Sequence, residues 1–153
     1  MGTWRCFHER LQLGTCLEGS VVKISPDIPR AKSLRETALG RVSFLENQPL
    51  REASANYIFE GYYASLLETM HALVAVNGYR VSNHLCLGFY LRDLLKETKL
   101  FQQFDRCRAR RHALVYYGKH MDLQTALSAI KECKEAMGKI NGLLDSALGK
   151  ARR

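Results

Sequence analysis

Apolar residues recur at every third or fourth position through the last part of the chain, and this pattern constrains the fold more than any other feature. The series runs Leu123, Leu127, Ile130, Cys133, Met137, Ile140, Leu144 and Leu148. Such spacing places the apolar side chains on one face of an α-helix, and Asp122 stands where an N-cap residue belongs. Because an amphipathic helix must bury its stripe against other elements, the rest of the chain has to supply them.

Four further helices are predicted upstream from the same kind of spacing. Their ranges are about Ile28 to Glu46, Arg51 to Val76, Asn83 to Leu95 and Leu100 to Tyr117. Ser25-Pro26-Asp27 is a helix start, Ser82 is the candidate N-cap of the third of these helices, and Gly118 ends the fourth. Strand patterning is limited to residues 20–24. The predicted fold is therefore all-α, an up-and-down bundle of four to five helices with short connections.

The chain of 153 residues has the length of one domain. We divide it into a partly irregular N-terminal extension (residues 1–24), a helical bundle (residues 25–149) and a basic tail (residues 150–153). Lys and Arg number 23 against 15 Asp and Glu, which gives a formal net charge of +8. An excess of this size favours nucleic acid, nucleotides or acidic protein surfaces as partners.

Five cysteines are present at wide spacing, and no two of them form a C-x-x-C pair. The composition, with 46% hydrophobic and 25% charged residues, excludes a disordered chain and a disulfide scaffold. We predict reduced thiols, with small core residues at Cys86, Cys107 and Cys133. The alternative is a metal site built from Cys6, His8 and Cys16. No zinc motif has that spacing, so we predict no metal and no cofactor.

The N-terminal residues Met1 to Leu13 carry several charged side chains and lack the apolar core of a secretory signal. The longest weakly charged stretch, Leu66 to Tyr79, still holds Glu68 and His71 and is too short to cross a bilayer. We therefore expect a cytoplasmic protein that does not bind a membrane.

Positive charge is concentrated in the predicted fourth helix. Residues 101–120 carry five basic side chains, at Arg106, Arg108, Arg110, Arg111 and Lys119, against the single acidic Asp105. A run of arginines on a helix is usually a solvated face. Position 111, however, falls between positions 107 and 114 on the apolar seam of this helix. Since burying an unpaired charge is costly, Arg111 is either a member of a structural ion pair or a residue that lines a cleft.

His112 follows Arg111 directly, and Tyr116 lies four residues after His112 on the same helix face. An arginine that holds a phosphate and a histidine whose pKa is near neutrality are the two groups that RNA cleavage requires. The alternative for His112 is an ordinary surface or hydrogen-bonded histidine.

The segment Arg111 to Gly118 (RHALVYYG) resembles the signature of HEPN domains (higher eukaryote and prokaryote nucleotide-binding). That signature is an Arg, usually followed by Asn, then two or three mostly apolar residues and a His or Tyr. Tyr57 to Glu68 resembles the family's second helix, and Gly78 to His84 resembles the loop and helix start that follow it. Ser25 to Ala31 is similar to the opening of archaeal single-domain members. The resemblance covers about residues 20–145.

The resemblance implies a bundle of four to five helices that commonly forms a homodimer. In active members, the Arg and His of the signature from two protomers meet in a cleft and cleave RNA without a metal. Other members pair with a small nucleotidyltransferase as a toxin–antitoxin system, and still others bind nucleotides or RNA only.

On this signature Arg111, His112 and Tyr116 become the candidate catalytic residues, with Tyr116 at the position of the family's His. A tyrosine with a pKa of about 10 is a poor general base at neutral pH. The other pairing, Arg106 with His112, is six residues apart, so the two side chains diverge by about 240° around the helix.

The resemblance also marks candidate nucleotide- or RNA-binding residues: Arg106, Arg108, Arg110, Glu68, Asn83 and His84. For Glu68 the alternative is a solvated helix glutamate. For Asn83 and His84 the alternative is an ordinary place at a helix start.

Three functions remain open on the sequence. The first is a dimeric HEPN-type module whose Arg-rich cleft binds nucleotide, RNA or a nucleotidyltransferase. The second is a metal-independent endoribonuclease of the toxin kind. The third is a purely structural helical module that contacts other proteins.

Overall fold

The structure is a computed structural model that describes Cys16 and residues 19–153. Within these residues, two short strands accompany five α-helices: β1 (Val21–Lys23), α1 (Ile28–Glu46), α2 (Ala55–Val76), β2 (Tyr79–Val81), α3 (His84–Phe89), α4 (Thr98–Tyr117) and α5 (Leu123–Ala151). A π-helical stretch, Tyr90–Leu94, continues α3. The predicted all-α class is confirmed, and α5, the helix with the clearest periodicity, has 29 residues.

Short polar side chains fix most of the helix starts. Asp27 accepts a hydrogen bond from the backbone N–H of Arg30, and Asp122 accepts one from that of Thr125. Asn83 caps α3, accepting from the backbone of Leu85 at 2.8 Å, so the prediction of Ser82 as this cap is wrong. Each of these oxygens satisfies a backbone donor that the first helical turn leaves without a partner.

Helix α2 begins at Ala55, four residues later than the sequence predicted. The hydroxyl of Ser54 accepts from the backbone N–H of Arg51 and donates to the carbonyl of Pro49. This side chain therefore stabilises a compact turn in place of a first helical turn.

The core of the bundle is centred on α2, which packs against α1 on one side and α5 on the other. Its buried side chains include Phe59, Tyr63, Leu66, Met70 and Leu73. Helix α4 covers α2 in part and packs mainly on α5 and α3. From Ile130 onward the stripe of α5 faces this core, as its periodicity predicts. Leu127 is a wrong member of the stripe, because it is exposed and the neighbouring Ala126 and Ala129 are buried instead.

Strand β1 confirms the extended segment predicted at residues 20–24, and it pairs antiparallel with β2 through Val21 and Val81. The second strand was not predicted. Gly78 precedes it with a φ of 82°, and a Cβ at this position would lie 2.9 Å from the carbonyl oxygen of Ile24. The turn between α2 and β2 therefore requires a glycine.

A disulfide joins Cys16 to Cys86, so the prediction of reduced thiols is wrong for these two residues. No spacing motif predicts this pair, because the two cysteines are 70 residues apart. Cys107 and Cys133 are free and fully buried, as expected of small core residues. Disulfides persist mainly in oxidising compartments, so the cysteines no longer support the predicted cytoplasmic location.

The proposed metal alternative loses a ligand to the same disulfide, because Cys16 is one of its members. Its other two members, Cys6 and His8, lie outside the described residues. No helix in the part of the chain that the structure describes has both the length and the apolar character needed to cross a membrane.

We expect the Cys16–Cys86 bond to stabilise the protein strongly. A cross-link over 70 residues restricts the unfolded chain enough to contribute about 4 kcal/mol by loop-closure entropy. The measurement is urea unfolding of the wild type with and without a reductant, and the reductant should lower the free energy of unfolding.

The double variant Cys16→Ser, Cys86→Ser is the control, and its unfolding should not respond to the reductant. Equal unfolding midpoints for the wild type under both conditions would contradict the disulfide.

Candidate functional site

The arginines of α4 divide between two faces of the helix. Arg106 and Arg110 point toward α5, where both bind the carboxylate of Glu132. Arg106 Nε lies 2.6 Å from Glu132 Oε1, and Arg110 Nη1 lies 3.1 Å from Oε2. Glu132 is partly buried, so one carboxylate partly neutralises two of the predicted binding residues.

Arg108 and Arg111 point to the other side, toward α2 and α3. Arg108 binds Asp105, one turn earlier on α4, at 2.8 Å. Arg111 is partly buried, and its guanidinium carbon lies 5.9 Å from the centre of the Tyr63 ring. Among the described residues, Arg111 has no carboxylate partner.

The ring of Tyr63 connects Arg111 to His84. The Tyr63 hydroxyl and His84 Nδ1 share a hydrogen bond of 3.2 Å, and the two rings meet edge to face. We call Arg108, Arg111, Tyr63 and His84 the Arg111 cluster. It joins three helices, α2, α3 and α4, at one point.

Burial keeps the two aromatic members of the Arg111 cluster, His84 and Tyr63, uncharged. Burial lowers the pKa of His84, and the positive charges of Arg111 and Arg108 lower it further. Burial raises the pKa of the Tyr63 hydroxyl, while the same two arginines oppose that rise. At neutral pH the cluster therefore presents two guanidinium groups with an uncharged imidazole and an uncharged phenol.

His112 and Tyr116 form the predicted pair on one face of α4, with ring centres 4.4 Å apart. Tyr117 meets the same imidazole edge to face, with ring centres 5.8 Å apart. The contacts of His112 are with these tyrosines, whereas Arg111 contacts Tyr63. The three candidate catalytic residues thus lie on two different faces of the helix in this single chain.

Glu68 and Asn83 have structural partners in the fold. Glu68 binds Arg41 of α1 through both of its oxygens, at 2.5 and 2.9 Å. Asn83 is the N-cap of α3. The simpler alternative, a place at a helix start, therefore accounts for Asn83. Glu68 is not a solvated glutamate, because it is paired with Arg41.

Sequence reasoning missed the partner that organises the cluster, Tyr63. The residue lies within the segment Tyr57 to Glu68 that carries part of the family resemblance. Its neighbour Tyr62 follows the helical spacing of the apolar Ile58 and Leu66, and nothing local distinguished the role of Tyr63. A buried hydroxyl needs a polar partner, but α2 carries other hydroxyls, at Tyr57, Tyr62, Ser65 and Thr69, so this signal did not single out Tyr63.

No group of three or more potential metal ligands (His, Cys, Asp or Glu) is found among the described residues. A shallow surface depression lies on α1, lined by Lys32, Arg35, Glu36, Leu39 and Gly40. It includes no member of the Arg111 cluster.

No protein-family model, no curated protein and no solved structure matches this chain. The resemblance to HEPN domains therefore depends on the motifs themselves and on their order along the sequence.

We expect acid to destabilise the fold through two histidines. Burial lowers the pKa of His71 as well as that of His84. The charges of His84 and Arg30 lower the pKa of His71 further, and those of Arg111 and Arg108 lower the pKa of His84 further. The unfolded chain therefore binds protons more readily than the folded one. Stability is fully present above the unfolded pKa of about 6.5 and falls as the pH drops toward the folded values.

The measurement is the urea unfolding midpoint at several pH values between about 8 and about 5. His84→Gln should reduce the pH dependence, whereas His120→Gln, at an exposed position, is the matched control. A pH dependence that is unchanged in His84→Gln would show that this histidine does not contribute.

Proposed function

We propose that this protein is a HEPN-type helical module that binds the phosphate groups of RNA or nucleotides at the Arg111 cluster. One observation carries the proposal: Arg111 is partly buried on the face of Tyr63 and has no carboxylate partner among the described residues. A guanidinium in that position loses hydration that a cation–π contact replaces only in part. A bound phosphate would supply the missing charge and accept its hydrogen bonds.

A comparison of the four arginines of α4 favours a phosphate site at Arg111 over a basic face that is simply solvated. Arg106 and Arg110 share Glu132, and Arg108 binds Asp105. Three of the four arginines thus have acidic partners, and the fourth is the one that takes the position of the family's signature Arg. The net charge of +8 attracts polyanions to the protein as a whole.

The resemblance further implies a homodimer and, in some members, a small nucleotidyltransferase partner. Both remain part of the proposal. A dimer would allow the Arg111 clusters of two protomers to act on one strand, as the family's cleft requires.

We expect Arg111→Ala to lower the affinity for RNA by at least about tenfold, because a charge-assisted phosphate contact is lost. The slope of log affinity against log salt concentration should fall by about one unit. The measurement is fluorescence anisotropy of a labelled mixed-sequence RNA at several salt concentrations.

Arg106→Ala is the matched control, because it removes the same charge from the same helix at an exposed, acid-paired position. Its affinity should stay within about twofold of the wild type, since one distant charge adds little to binding. Equal losses in both variants would indicate general attraction and contradict a site at Arg111.

A metal-independent endoribonuclease is the second candidate. Two imidazoles favour it: His84 lies in the cluster with Arg111, and His112 is the next residue along α4. Against it stands Tyr116 at the position of the family's His, because a phenol is a poor base at neutral pH.

We expect no cleavage when wild-type protein is incubated with mixed-sequence RNA in the presence of EDTA. Cleavage by the wild type that is lost in Arg111→Ala would contradict this expectation and identify a nuclease. His112→Ala and His84→Ala would then show which imidazole transfers the proton.

The purely structural module makes a different prediction from both. It requires that Arg111→Ala changes only the stability of the fold and that the wild type binds no RNA.

A further inference from the structure

His84, the first residue of α3, lies beside Arg111 and is half-buried. Its Nδ1 and the hydroxyl of Tyr63 share a hydrogen bond of 3.2 Å, and the centres of the two rings are 6.0 Å apart. Arg111 lies over the same Tyr63 ring, with its guanidinium carbon 5.9 Å from the ring centre. The imidazole and the guanidinium are therefore held against one aromatic ring, and each is partly open to solvent.

The charged groups that act on His84, among the described residues, are cations. Burial lowers the pKa of the imidazole most, and Arg111 and then Arg108, both on α4, lower it further. On α2, Tyr63 is uncharged, and the pKa of His71 is itself lowered by burial and by the charge of His84. The imidazole of the free protein is therefore uncharged at neutral pH, although it is the one member of the Arg111 cluster that can gain a charge near neutrality.

A phosphate monoester needs more positive charge than the free cluster provides. Such a group carries a charge of about −1.5 to −2 at pH 7. Arg108 is bound to Asp105, so Arg111 supplies the cluster's one cation without a carboxylate partner among the described residues. A second cation at His84 would match the two charges of a dianion.

Protonation of His84 keeps its hydrogen bond to Tyr63. In the neutral imidazole, Nδ1 either accepts from the phenol hydroxyl or donates to its oxygen, depending on the tautomer. In the imidazolium, Nδ1–H donates to the phenol oxygen. The added proton breaks no contact, and the N–H at Nε2, which has no hydrogen-bond partner among the described residues, is available to an anion.

We propose that His84 takes up a proton when a phosphate monoester binds at Arg111, so that an imidazolium and a guanidinium hold the bound dianion together. The inference rests on the proposed function, because the ligand is held at Arg111. It adds the class of ligand, a terminal phosphate with two negative charges, and it makes the affinity of the site depend on pH. The proton comes from solvent, and no covalent bond changes.

Binding and protonation should reinforce each other. A dianion beside the imidazole raises the pKa of His84, because an opposite charge favours the protonated form. Lower pH should therefore tighten binding, and one proton taken up corresponds to at most about a tenfold gain in affinity for each pH unit.

The test uses sulfate, which stays a dianion throughout the pH range, so any pH dependence belongs to the protein. Titration calorimetry at pH about 8 and about 6, in two buffers with different heats of ionisation, gives the affinity and the number of protons taken up. We expect the affinity to rise at least about fivefold at the lower pH, with up to about one proton taken up per sulfate. Dimethyl phosphate, a monoanion, should bind more weakly and take up fewer protons.

His84→Gln should abolish the proton uptake and the pH dependence. His71→Gln, which removes the neighbouring half-buried imidazole, and His120→Gln, at an exposed position, are the matched controls and should keep both. An NMR titration of the wild type covers the case in which His84→Gln does not fold. Sulfate should raise the pKa of His84 and leave that of His120 unchanged.

Two carriers of a terminal phosphate are then compared at the lower pH. A nucleoside monophosphate should bind more tightly than its nucleoside, or an RNA with a 5′-phosphate more tightly than the same strand with a 5′-hydroxyl. The larger gain identifies the carrier, and no gain for either would contradict a site for phosphate monoesters.

The outcomes separate this inference from the proposed function. Sulfate binding that is lost in Arg111→Ala but does not change with pH in the wild type would overturn the proton uptake and leave the phosphate site. Proton uptake that persists in His84→Gln or disappears in His71→Gln would assign the proton to another group and overturn the role of His84. Absence of sulfate binding, or equal affinity in the wild type and Arg111→Ala, would overturn both.

Discussion

The burial of α2 is the constraint on which the rest of the bundle depends, because the other long helices all pack against this one. One of its buried side chains, Tyr63, carries a hydroxyl that needs a hydrogen-bond partner. His84 provides it, so the first turn of α3 must lie against α2. The partly buried Arg111 then lies over the same ring. The candidate site is thus a consequence of placing one polar atom at the edge of an apolar core.

Most of the fold could be predicted because its information is local. Periodic apolar residues and the caps Asp27 and Asp122 determine helices over a few turns, and each needs only its own segment of sequence. Even here the local signals were incomplete. The turn that the Ser54 hydroxyl stabilises takes the place of the predicted first turn of α2. The π-helical continuation of α3 has no signature in the spacing of its residues.

The candidate site was predictable only in part because its partners are far apart in sequence. The concentration of arginines on α4 and the pair of His112 with Tyr116 follow from helix geometry alone. The same geometry cannot show that Glu132 binds two of these arginines, because Glu132 belongs to another helix. Nor can it show that Tyr63 lies under Arg111. Tertiary packing decides which cation remains without an acidic partner.

The disulfide between Cys16 and Cys86 closes a covalent ring that contains both strands, α1, α2 and the start of α3. Helices α4 and α5 lie outside this ring, as an arm attached at one end. A protease cut in the turn between α1 and α2 would leave the oxidised protein as one covalent molecule. A cut between α3 and α4 would divide it into two chains that only packing holds together. The boundary passes through the Arg111 cluster, since Tyr63 and His84 belong to the ring and the arginines belong to the arm.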